Sequence, residues 1–411
     1  MRILYLSFEN PYLLPGIHKK ELEFCKAMFD SCNEFKIHFK GIKIFFPVEL
    51  KAHSLLSPST EYLELKQIGY SLWNIVSKIF LIKNILQTRQ IFQCAYNTIS
   101  KYKPDVIIFR YKAFSISSVF NPKKVNSNIV FVSEHQSKEI DELKSFMKSI
   151  RRFALISERI RAKKYFNYVD AITGVTSEIA KYELERAKRN IPFYILSNGI
   201  DVNKYPVKRY QKFEGNTLKM ICVVSKTMKW QGLDRLLLGM KNYQGDIRFE
   251  LHIVGMITQE INELLNKLKL KSRVFCHGIK YGKELDSIYN DMHIAIGTLG
   301  IHRKNLEYGT PLKVREYIAR GIPFLISYKD EDIDSNFPFF LKLAPDDSSL
   351  NMEQIIHFTQ SIYQKYENKI PIILRNYAAK KLDYNVKTRN YLQFILNLKI
   401  INNSYQNVSE K

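Results

Sequence analysis

The stretch from Leu299 to Ser327, LGIHRKNLEYGTPLKVREYIARGIPFLIS, determines how the rest of the chain is interpreted. Its Gly309-Thr310-Pro311 segment is a turn signal, because glycine tolerates positive φ and proline fixes φ. Apolar residues at helical spacing then predict a helix over 312–319. The segment Gly321-Ile322-Pro323 ends that helix before the short apolar run 324–326, which predicts a buried strand.

The junction between this turn and its helix suits a phosphate group. The first backbone N–H groups of a helix have no intrahelical acceptor and carry positive partial charge. Lys313 and Arg315 flank the junction and add formal charge. Glu316 lies one turn into the helix, where a carboxylate can accept hydrogen bonds from neighbouring hydroxyls such as those of a ribose. The stretch therefore predicts a site for a nucleotide.

The same stretch resembles the donor-binding signature of the retaining glycosyltransferases of family 4, in the subgroup whose run reads roughly TPLKxxEYxARGxPF. The matching residues are Thr310, Pro311, Leu312, Lys313, Glu316, Tyr317, Ala319, Arg320, Gly321, Pro323 and Phe324. The resemblance implies an α/β chain of the GT-B fold, with two Rossmann-like doubly wound domains facing across a cleft. It also implies that Gly309, Thr310, Pro311, Leu312, Lys313 and Glu316 bind a nucleotide-diphosphate sugar.

The length and the order of predicted elements agree with that implication. A chain of 411 residues is too long for one hydrophobic core, and short apolar runs alternate with helical patterns as in parallel sheets. We expect an acceptor-side Rossmann-like domain over 1–205 and a donor-side domain over 206–384. A C-terminal helix that crosses back to the first domain, followed by a polar tail, is expected over 385–411.

Composition places the protein in a reducing compartment with anionic partners. The five cysteines are scattered and lack CxxC spacing, which argues against a disulfide framework or a zinc site. The N-terminus has no apolar segment long enough for a secretion signal, so we expect a cytoplasmic protein. The net charge of +23 favours nucleotide phosphates, anionic lipid or nucleic acid, or is a solvated lysine-rich surface.

The loop after the first strand of the second domain departs from the family pattern. In the family this loop carries an arginine and a lysine that hold the donor diphosphate. The corresponding positions here are Lys226 and Gln231. Lys226 keeps the charge as a point charge without the bidentate fork of arginine. Gln231 has no charge, so Lys229 or Lys313 would have to compensate.

Other positions are expected to line the cleft because they follow predicted strands of an open α/β sheet. In the first domain these are Gly16, His18 and Lys19, in a predicted loop and helix start, and Arg110 after the run VIIF. In the second domain Gly255, Met256 and Ile279 occupy the positions where the nucleobase lies in the family. A plain strand-to-helix connection is an equal alternative for the residues near Gly16.

His135 is the leading candidate for a catalytic residue. In many members of the family a histidine at the end of the corresponding strand contacts the donor sugar near the acceptor. The context Ser-Glu-His-Gln-Ser-Lys-Glu predicts a polar loop around it, so a buried role is not expected. A structural role is the alternative for a single histidine.

The resemblance implies transfer with retention and without a metal or other cofactor. The first glutamate of the family's E-x7-E motif is replaced by Tyr308, which leaves the sugar contact unassigned. Asp330-Glu331-Asp332 spells DxD, but it lies past the donor stretch, and we interpret it as solvated surface. No carboxylate pair at nucleophile-and-acid spacing suggests a glycosidase-like mechanism. Lysines and helix N-terminal amides would then stabilise the departing diphosphate.

Two segments bear on membrane association. Residues 68–86 are apolar but carry lysines and asparagines, which disfavours a spanning helix. They predict an amphipathic helix that is buried against the first domain or, alternatively, lies on a membrane surface. The segment 143–164 combines apolar residues at helical spacing with eight basic residues. It predicts either a helix with a solvated basic face or one that lies on an anionic membrane. Family roles suggest a carbohydrate or lipid-linked acceptor at the inner face of the cytoplasmic membrane.

Two other functions remain open from the residues. A nucleotide-sugar epimerase on the same fold would isomerise the donor without an acceptor. A catalytically degraded paralogue that binds a nucleotide or nucleic acid is favoured by Gln231 and Tyr308. No specific nucleic-acid partner is expected, because the sequence lacks the motifs of RNA and DNA readers. The donor base, the sugar and the acceptor are not determined by the sequence.

Overall fold

The protein is described from a computed structural model. The structure describes residues 1–10, 15–45, 58–65, 80–112, 119–146 and 151–409. The chain divides into two compact units. Unit 1 comprises residues 1–196 and 387–411, and unit 2 comprises residues 197–386.

Unit 1 contains a parallel sheet of seven strands in the order β3-β2-β1-β4-β5-β6-β7. The strands are β1 (Arg2–Ser7), β2 (His38–Phe45), β3 (Thr60–Glu64), β4 (Val106–Arg110), β5 (Val130–His135), β6 (Ala171–Gly174) and β7 (Phe193–Ile195). β4 and β5 are buried along their whole length. Continuous burial is typical of parallel strands that are covered on both faces, and it explains why they read as apolar runs without alternation.

The described helices of unit 1 are α1 (Pro15–Glu34), α2 (Phe80–Tyr102), α3 (Glu139–Phe146), α4 (Arg151–Phe166) and α5 (Ser177–Ala187). α5 begins at an N-cap, Thr176, whose side chain accepts from the Ile179 N–H. The predicted helix over 143–164 corresponds to parts of α3 and α4, with residues 147–150 outside the described part of the chain. Of the predicted amphipathic helix over 68–86, residues up to 79 lie outside the described residues.

Unit 2 contains a parallel sheet of six strands in the order β10-β9-β8-β11-β12-β13. The strands are β8 (Thr217–Lys226), β9 (Arg248–Met256), β10 (Val274–Cys276), β11 (Ile294–Ile296), β12 (Phe324–Ile326) and β13 (Phe340–Lys342). Its helices are α6 (Leu233–Asn242), α7 (Gln259–Lys267), α8 (Gly282–Asn290), α9 (Leu312–Arg320), α10 (Met352–Tyr366) and α11 (Ile370–Tyr377). Helices pack on both faces, as the two apolar clusters of the unit show.

The last helix, α12 (Tyr384–Ser409), starts in unit 2 and continues into unit 1. Within unit 1 the Tyr391 ring is fully buried, and its hydroxyl lies 2.9 Å from the Thr173 hydroxyl on β6. Thr388 makes the same kind of hydroxyl contact with Ser31 on α1, also at 2.9 Å. These buried polar contacts fix the position of the helix along the unit 1 surface, because each hydroxyl satisfies the other.

The fold class predicted from the sequence is confirmed as two doubly wound α/β units. Both sheets follow the same plan, with the first strand of each unit next to the fourth. The chain therefore reverses direction across the sheet between β1 and β4 in unit 1 and between β8 and β11 in unit 2. In open α/β sheets, such a switch point opens a crevice at the carboxyl ends of its two strands.

Candidate functional site

The donor stretch lies at the switch point of unit 2. α9 packs over the junction of β8 and β11, because the Tyr317 hydroxyl accepts from the Val223 N–H at 3.0 Å and donates to the Ile296 carbonyl at 3.1 Å. The Lys313 ammonium donates to the Gly297 carbonyl, directly after β11, at 2.8 Å. The N-terminal turn of α9 is therefore placed at the carboxyl ends of these two central strands.

The turn before α9 is held by a second segment of unit 2. The Asn198 side-chain amide donates to the Thr310 carbonyl at 2.7 Å, and the Asn198 backbone N–H donates to the Thr310 hydroxyl at 3.4 Å. The Gly309 N–H donates to the Lys329 carbonyl at 3.0 Å. Gly309 is therefore part of the loop's internal support. The N–H groups of Leu312 and Lys313, in the first turn of α9, lack i−4 partners by helix geometry and remain the donors for an anion.

Arg315 supports the loop from inside the unit. Its side chain is fully buried, and it donates to both carboxylate oxygens of Asp330 at 2.6 and 2.9 Å, and to Asp332 at 2.6 Å. Its Nε donates to the Asn198 carbonyl at 2.8 Å. The interpretation of Asp330 as solvated surface is wrong, because this carboxylate is buried and ion-paired. Arg315 positions the Thr310 turn through Asn198.

The two predicted phosphate-binding lysines have different surroundings. Lys226 is exposed at the end of β8, where it pairs in register with Met256 of β9. Lys313 is half-buried, and loss of hydration lowers the pKa of its ammonium. A lysine that has lost part of its hydration and keeps one carbonyl partner can turn its remaining N–H donors to a phosphate.

Glu316 is half-buried and begins the second turn of α9. One of its oxygens accepts from the Arg320 Nε at 2.7 Å, and the other end of that guanidinium donates to Asp286 at 2.6 Å. The Arg320 guanidinium lies over the Tyr289 ring, with its Cζ 4.5 Å from the ring centroid. The Glu316 carboxylate is thereby oriented, and it retains acceptor capacity, since a carboxylate has about four lone-pair sites.

The loop after β8 packs against the loop after β11. The Leu299 N–H donates to the Gln231 carbonyl at 2.9 Å. A Cβ atom on Gly232 would lie 2.6 Å from the Leu299 carbonyl carbon, so only glycine fits at this φ of +68°. Arg235, which is nearly fully buried, ties Leu299 to the Ala344 carbonyl. The two loops that border the crevice are therefore joined by backbone contacts.

The positions predicted for the nucleobase lie at the end of β9 and just after β10. Gly255 has φ +127°, and its N–H donates to the Gly278 carbonyl at 2.7 Å. The Met256 and Ile279 side chains are about half exposed, at 51% and 52%. Met228, after β8, is 48% exposed. Exposed apolar side chains after adjacent strands offer a surface on which an aromatic ring can pack.

One prediction for the cleft residues of unit 1 is wrong. The predicted loop at residue 16 is a helix, because α1 begins at Pro15, and Gly16, His18 and Lys19 lie in its first two turns. Gly16 and Lys19 are exposed. His18 is buried, its Nε2 lies 3.4 Å from the Tyr62 hydroxyl, and burial lowers the pKa of its imidazole to about 4.

Arg110 ends β4 inside a buried charge network. Its guanidinium lies 3.2 Å from Glu9, 3.1 Å from Glu21 and 3.7 Å from Glu134. Lys43, on β2, also pairs with Glu21. Burial, together with the nearby Arg110 charge, lowers the pKa of the Lys43 ammonium to about 7. The network occupies the carboxyl ends of β1 and β4, so sequence reasoning placed Arg110 at the correct edge of its sheet but missed its partners.

His135 is the last residue of β5, and its side chain is fully buried. The expectation of a polar loop is wrong, because the ring stacks on Tyr111 and Phe166, with centroids 4.8 and 6.0 Å away. Burial lowers the pKa of the imidazole to about 4. Its predicted catalytic role stays a prediction, and a direct sugar contact is not favoured by a ring that is closed to solvent.

The comparisons with known proteins place the fold. No protein-family description and no curated protein sequence matches the chain. Among solved structures, sucrose-phosphate synthase from Thermosynechococcus elongatus is 14% identical, with a TM-score of 0.64 over 97% of this chain and 99% of that one. Anabaena HepE with UDP and glucose bound is 14% identical with a TM-score of 0.59, over 97% and 99%. The lipopolysaccharide galactosyltransferase WaaB is 15% identical with a TM-score of 0.61, over 95% and 99%.

These structures are GT-B glycosyltransferases, and the chain has the same fold. At this level of identity the likeness concerns the arrangement of strands and helices. No helix among the described residues is both long enough and apolar enough to cross a membrane.

Proposed function

We propose that the protein is a glycosyltransferase that moves a sugar from a nucleotide-diphosphate donor to a hydroxyl acceptor with retention of configuration. The observation that carries this proposal is the first turn of α9 at the switch point of unit 2. There Leu312 and Lys313 offer backbone donors, Lys313 offers positive charge, and Glu316 is oriented as a hydroxyl acceptor. Lys226, at the end of β8, would add a second positive charge. The fold and the family 4 signature support the same assignment.

In this proposal the departing diphosphate is stabilised without a metal ion or other cofactor. Negative charge that develops on the leaving group would be met by the Lys226 and Lys313 ammonium groups and the α9 N-terminus. Donors that are already fixed in place cost little reorganisation during the reaction, and the Gly297 carbonyl and Asn198 contacts fix this turn. Glu316 would hold the ribose and thus the position of the diphosphate.

A thermal-shift screen tests the donor site. We expect UDP, GDP or ADP, or one of their sugars, to raise the melting temperature in a saturable manner, since binding to the folded state stabilises it. Glu316→Ala should abolish this shift. Asp286→Ala is the matched control, because it also removes an Arg320 partner but no proposed ligand contact. Equal loss in both variants, or no shift with any nucleotide, would contradict the proposed role of Glu316.

Product analysis separates the proposed reaction from its alternatives. An epimerase would isomerise the sugar of the donor in the absence of any acceptor. A catalytically degraded paralogue would show the thermal shift but release no nucleotide diphosphate with any acceptor. We propose that the acceptor belongs to bacterial surface polysaccharide or glycolipid synthesis, on the basis of the family signature. The anomeric configuration of the product, read by NMR, would decide retention.

We also propose a cytoplasmic protein that associates peripherally with the inner face of the membrane. α4 exposes Ile156 and Ile160, at 52% and 61%, one turn apart. Exposed basic residues surround them, namely Arg159, Arg161, Lys163 and Lys164. An exposed apolar pair among basic residues suits the surface of an anionic bilayer, where each basic residue adds about 1 kcal/mol.

Sedimentation with vesicles tests this surface. Binding to vesicles that contain phosphatidylglycerol should exceed binding to pure phosphatidylcholine vesicles and should fall as salt rises. The double substitution Ile156→Ser and Ile160→Ser should reduce the binding. The control is Tyr281→Ser, which removes a 77% exposed side chain from unit 2. Binding that is indifferent to lipid charge would exclude the electrostatic part of the proposal.

A further inference from the structure

Three buried side chains with metal-binding atoms converge in unit 1. His135 ends β5, Glu139 begins α3, and Glu183 lies in the middle of α5. Their exposed fractions are 0%, 2% and 0%. One ligand atom from each residue lies within 4.8 Å of the other two. Among the described residues, this is the only group of three or more such side chains close enough to share a metal ion. Three elements that are distant in sequence therefore present N and O atoms to one point.

Two buried atoms of these side chains have no hydrogen-bond partner, namely Nδ1 of His135 and Oε1 of Glu183. The Nδ1 faces this point, because both of its carboxylate neighbours belong to the group. A buried polar atom without a partner costs free energy, so such an atom calls for an explanation. The His135 Nδ1 lies 3.6 Å from a Glu139 oxygen and 3.5 Å from a Glu183 oxygen. Both separations are longer than a good N–H···O hydrogen bond.

The same separations agree with ligands that share one ion. In a tetrahedral zinc site with bonds of about 2.0–2.2 Å, two ligand atoms are about 3.3–3.6 Å apart. The two distances from the His135 Nδ1 fall in or at the edge of this range. A nitrogen ligand together with carboxylate oxygens favours a transition-metal ion over Mg²⁺ or Ca²⁺, which prefer oxygen ligands alone.

The surroundings orient the imidazole as they would in a metal site. The Ser133 hydroxyl lies 2.8 Å from the His135 Nε2 and 2.7 Å from the Tyr165 hydroxyl. When Nε2 carries the proton and donates it to Ser133, the lone pair of Nδ1 points to the carboxylates. Histidine ligands in metalloproteins usually donate their second ring N–H in this way. Arg186 donates at 2.7 Å to Oε2 of Glu183, the oxygen nearest the His135 Nδ1, and so fixes that carboxylate.

We propose that His135, Glu139 and Glu183 bind one divalent transition-metal ion, with Zn²⁺ as the best fit, at a structural site in unit 1. The ion would join β5, α3 and α5 and would satisfy the orphaned Nδ1 of His135. The complete burial of the ligands assigns the site a role in stability and not in sugar transfer. The proposal is independent of the donor site in unit 2 and of the proposed function.

A proton is the chemical competitor for the same place. Burial raises the pKa of the Glu183 carboxyl, so a protonated Glu183 could donate a hydrogen bond to the neutral His135 in place of an ion. The two arrangements differ in what they bind. The metal site takes up one equivalent of ion with high affinity, whereas the proton-bridged pair takes up none. The experiment therefore measures metal directly.

The test uses the untagged full-length protein after treatment with a chelator. Titration with ZnCl₂ in a calorimeter should give saturable binding of one equivalent, and Co²⁺ should give the visible bands of a tetrahedral N/O site. Glu183→Gln and His135→Gln should each weaken Zn²⁺ binding by a factor of ten or more. Glu185→Gln is the matched control, since this glutamate is exposed on the same helix. Its binding should equal that of the wild type.

Thermal melting adds a readout that does not depend on activity. Zn²⁺ should raise the melting temperature of the wild type and of Glu185→Gln, but not that of Glu183→Gln. If a ligand variant does not fold, the wild-type stoichiometry and Co²⁺ spectrum still decide the question. Absence of saturable metal binding by the wild type, or equal binding by Glu183→Gln and Glu185→Gln, would overturn the proposal.

Discussion

Arg315→Met is the substitution that most directly tests how the donor loop is supported. The guanidinium is fully buried and makes three hydrogen bonds to Asp330 and Asp332 and one to the Asn198 carbonyl. Methionine keeps the apolar part of the side chain but leaves the Asp330 carboxylate buried and without its cation. The change should therefore destabilise unit 2 and loosen the Thr310 turn.

The free energy of unfolding should fall by about 3–5 kcal/mol, the range found when one partner of a buried ion pair is removed. The Asp330 carboxylate decides this magnitude, because its side chain is 0% exposed, whereas that of Asp332 is 16% exposed. Burial already raises the pKa of Asp330 above its usual 3.8, against the opposing effect of Arg315. Without Arg315 this pKa should rise further.

The pH dependence of the variant follows from that rise. A folded state with a raised Asp330 pKa keeps a proton that the unfolded chain releases above pH 4, so stability falls as pH rises. The difference between Arg315→Met and the wild type should therefore be larger at pH 8 than at pH 5. The double substitution Arg315→Met and Asp330→Leu should recover part of the loss, since it removes the buried charge as well.

Arg303→Met is the matched control. Arg303 also binds two aspartates and a backbone carbonyl, with distances of 2.6–2.8 Å to Asp234, Asp347 and the Lys229 carbonyl. Its side chain is 22% exposed and that of Asp347 is 71% exposed. Because solvent screens such a pair, its loss should be small. The two variants thus remove the same number of hydrogen bonds, from a buried side chain in one case and from a partly exposed one in the other.

Urea unfolding followed by tryptophan fluorescence measures both losses. The chain has two tryptophans, so Trp73→Phe leaves Trp230 as the reporter of unit 2. Equal losses for Arg315→Met and Arg303→Met would refute the view that burial decides the effect. A loss below about 1 kcal/mol for Arg315→Met would show that the buried pair contributes no more than a surface pair.

Two further predictions concern unit 2. His293 accepts the Lys219 N–H at Nδ1, and burial lowers its pKa from 6.5 to about 4. Between pH 6.5 and 4 the unfolded chain therefore binds a proton at His293 that the folded chain does not bind. Acidification over this range should lower the free energy of unfolding by up to ~3 kcal/mol. His293→Gln should flatten this slope in urea titrations. For Gly255→Ala, the new Cβ would lie 1.7 Å from the Val224 carbonyl oxygen. Gly255→Ala should therefore lower the melting temperature more than Gly282→Ala does, since at Gly282 the positive φ alone costs about 1–2 kcal/mol.

The parts of the fold that sequence reasoning predicted are those that local physics determines. Parallel strands that are covered on both faces have continuous apolar stretches, so the apolar parts of β1, β4, β5 and β8 can be recognised as runs without alternation. The Gly309-Thr310-Pro311 turn and the helix after it follow from φ preferences and capping. The alternation of these elements then restricts the sheet to a parallel, doubly wound form.

The parts that it missed depend on partners far along the chain. Arg315 was predicted to flank a phosphate, and nothing near it in sequence indicates that Asp330 would fold back to meet it. His135 lies in a polar sequence, but its burial comes from Tyr111 and Phe166, which other elements supply. A weak signal existed in the first case, because an isolated DxD after the donor helix provides carboxylates without an evident cation.

The contacts of the unit 2 arginines explain why lysines are proposed to bind the phosphates. Arg235, Arg315 and Arg320 bind carbonyl and carboxylate groups of the protein itself and hold the loops that border the crevice. A guanidinium with several fixed donors is suited to such buried bridging, whereas a compact ammonium can turn to a ligand. Lys226 is exposed, and Lys313 has one bond to Gly297. If this division holds, the rigidity of the site comes from arginine and its affinity for the donor from lysine and backbone amides, so Lys226→Ala should weaken donor binding without lowering stability.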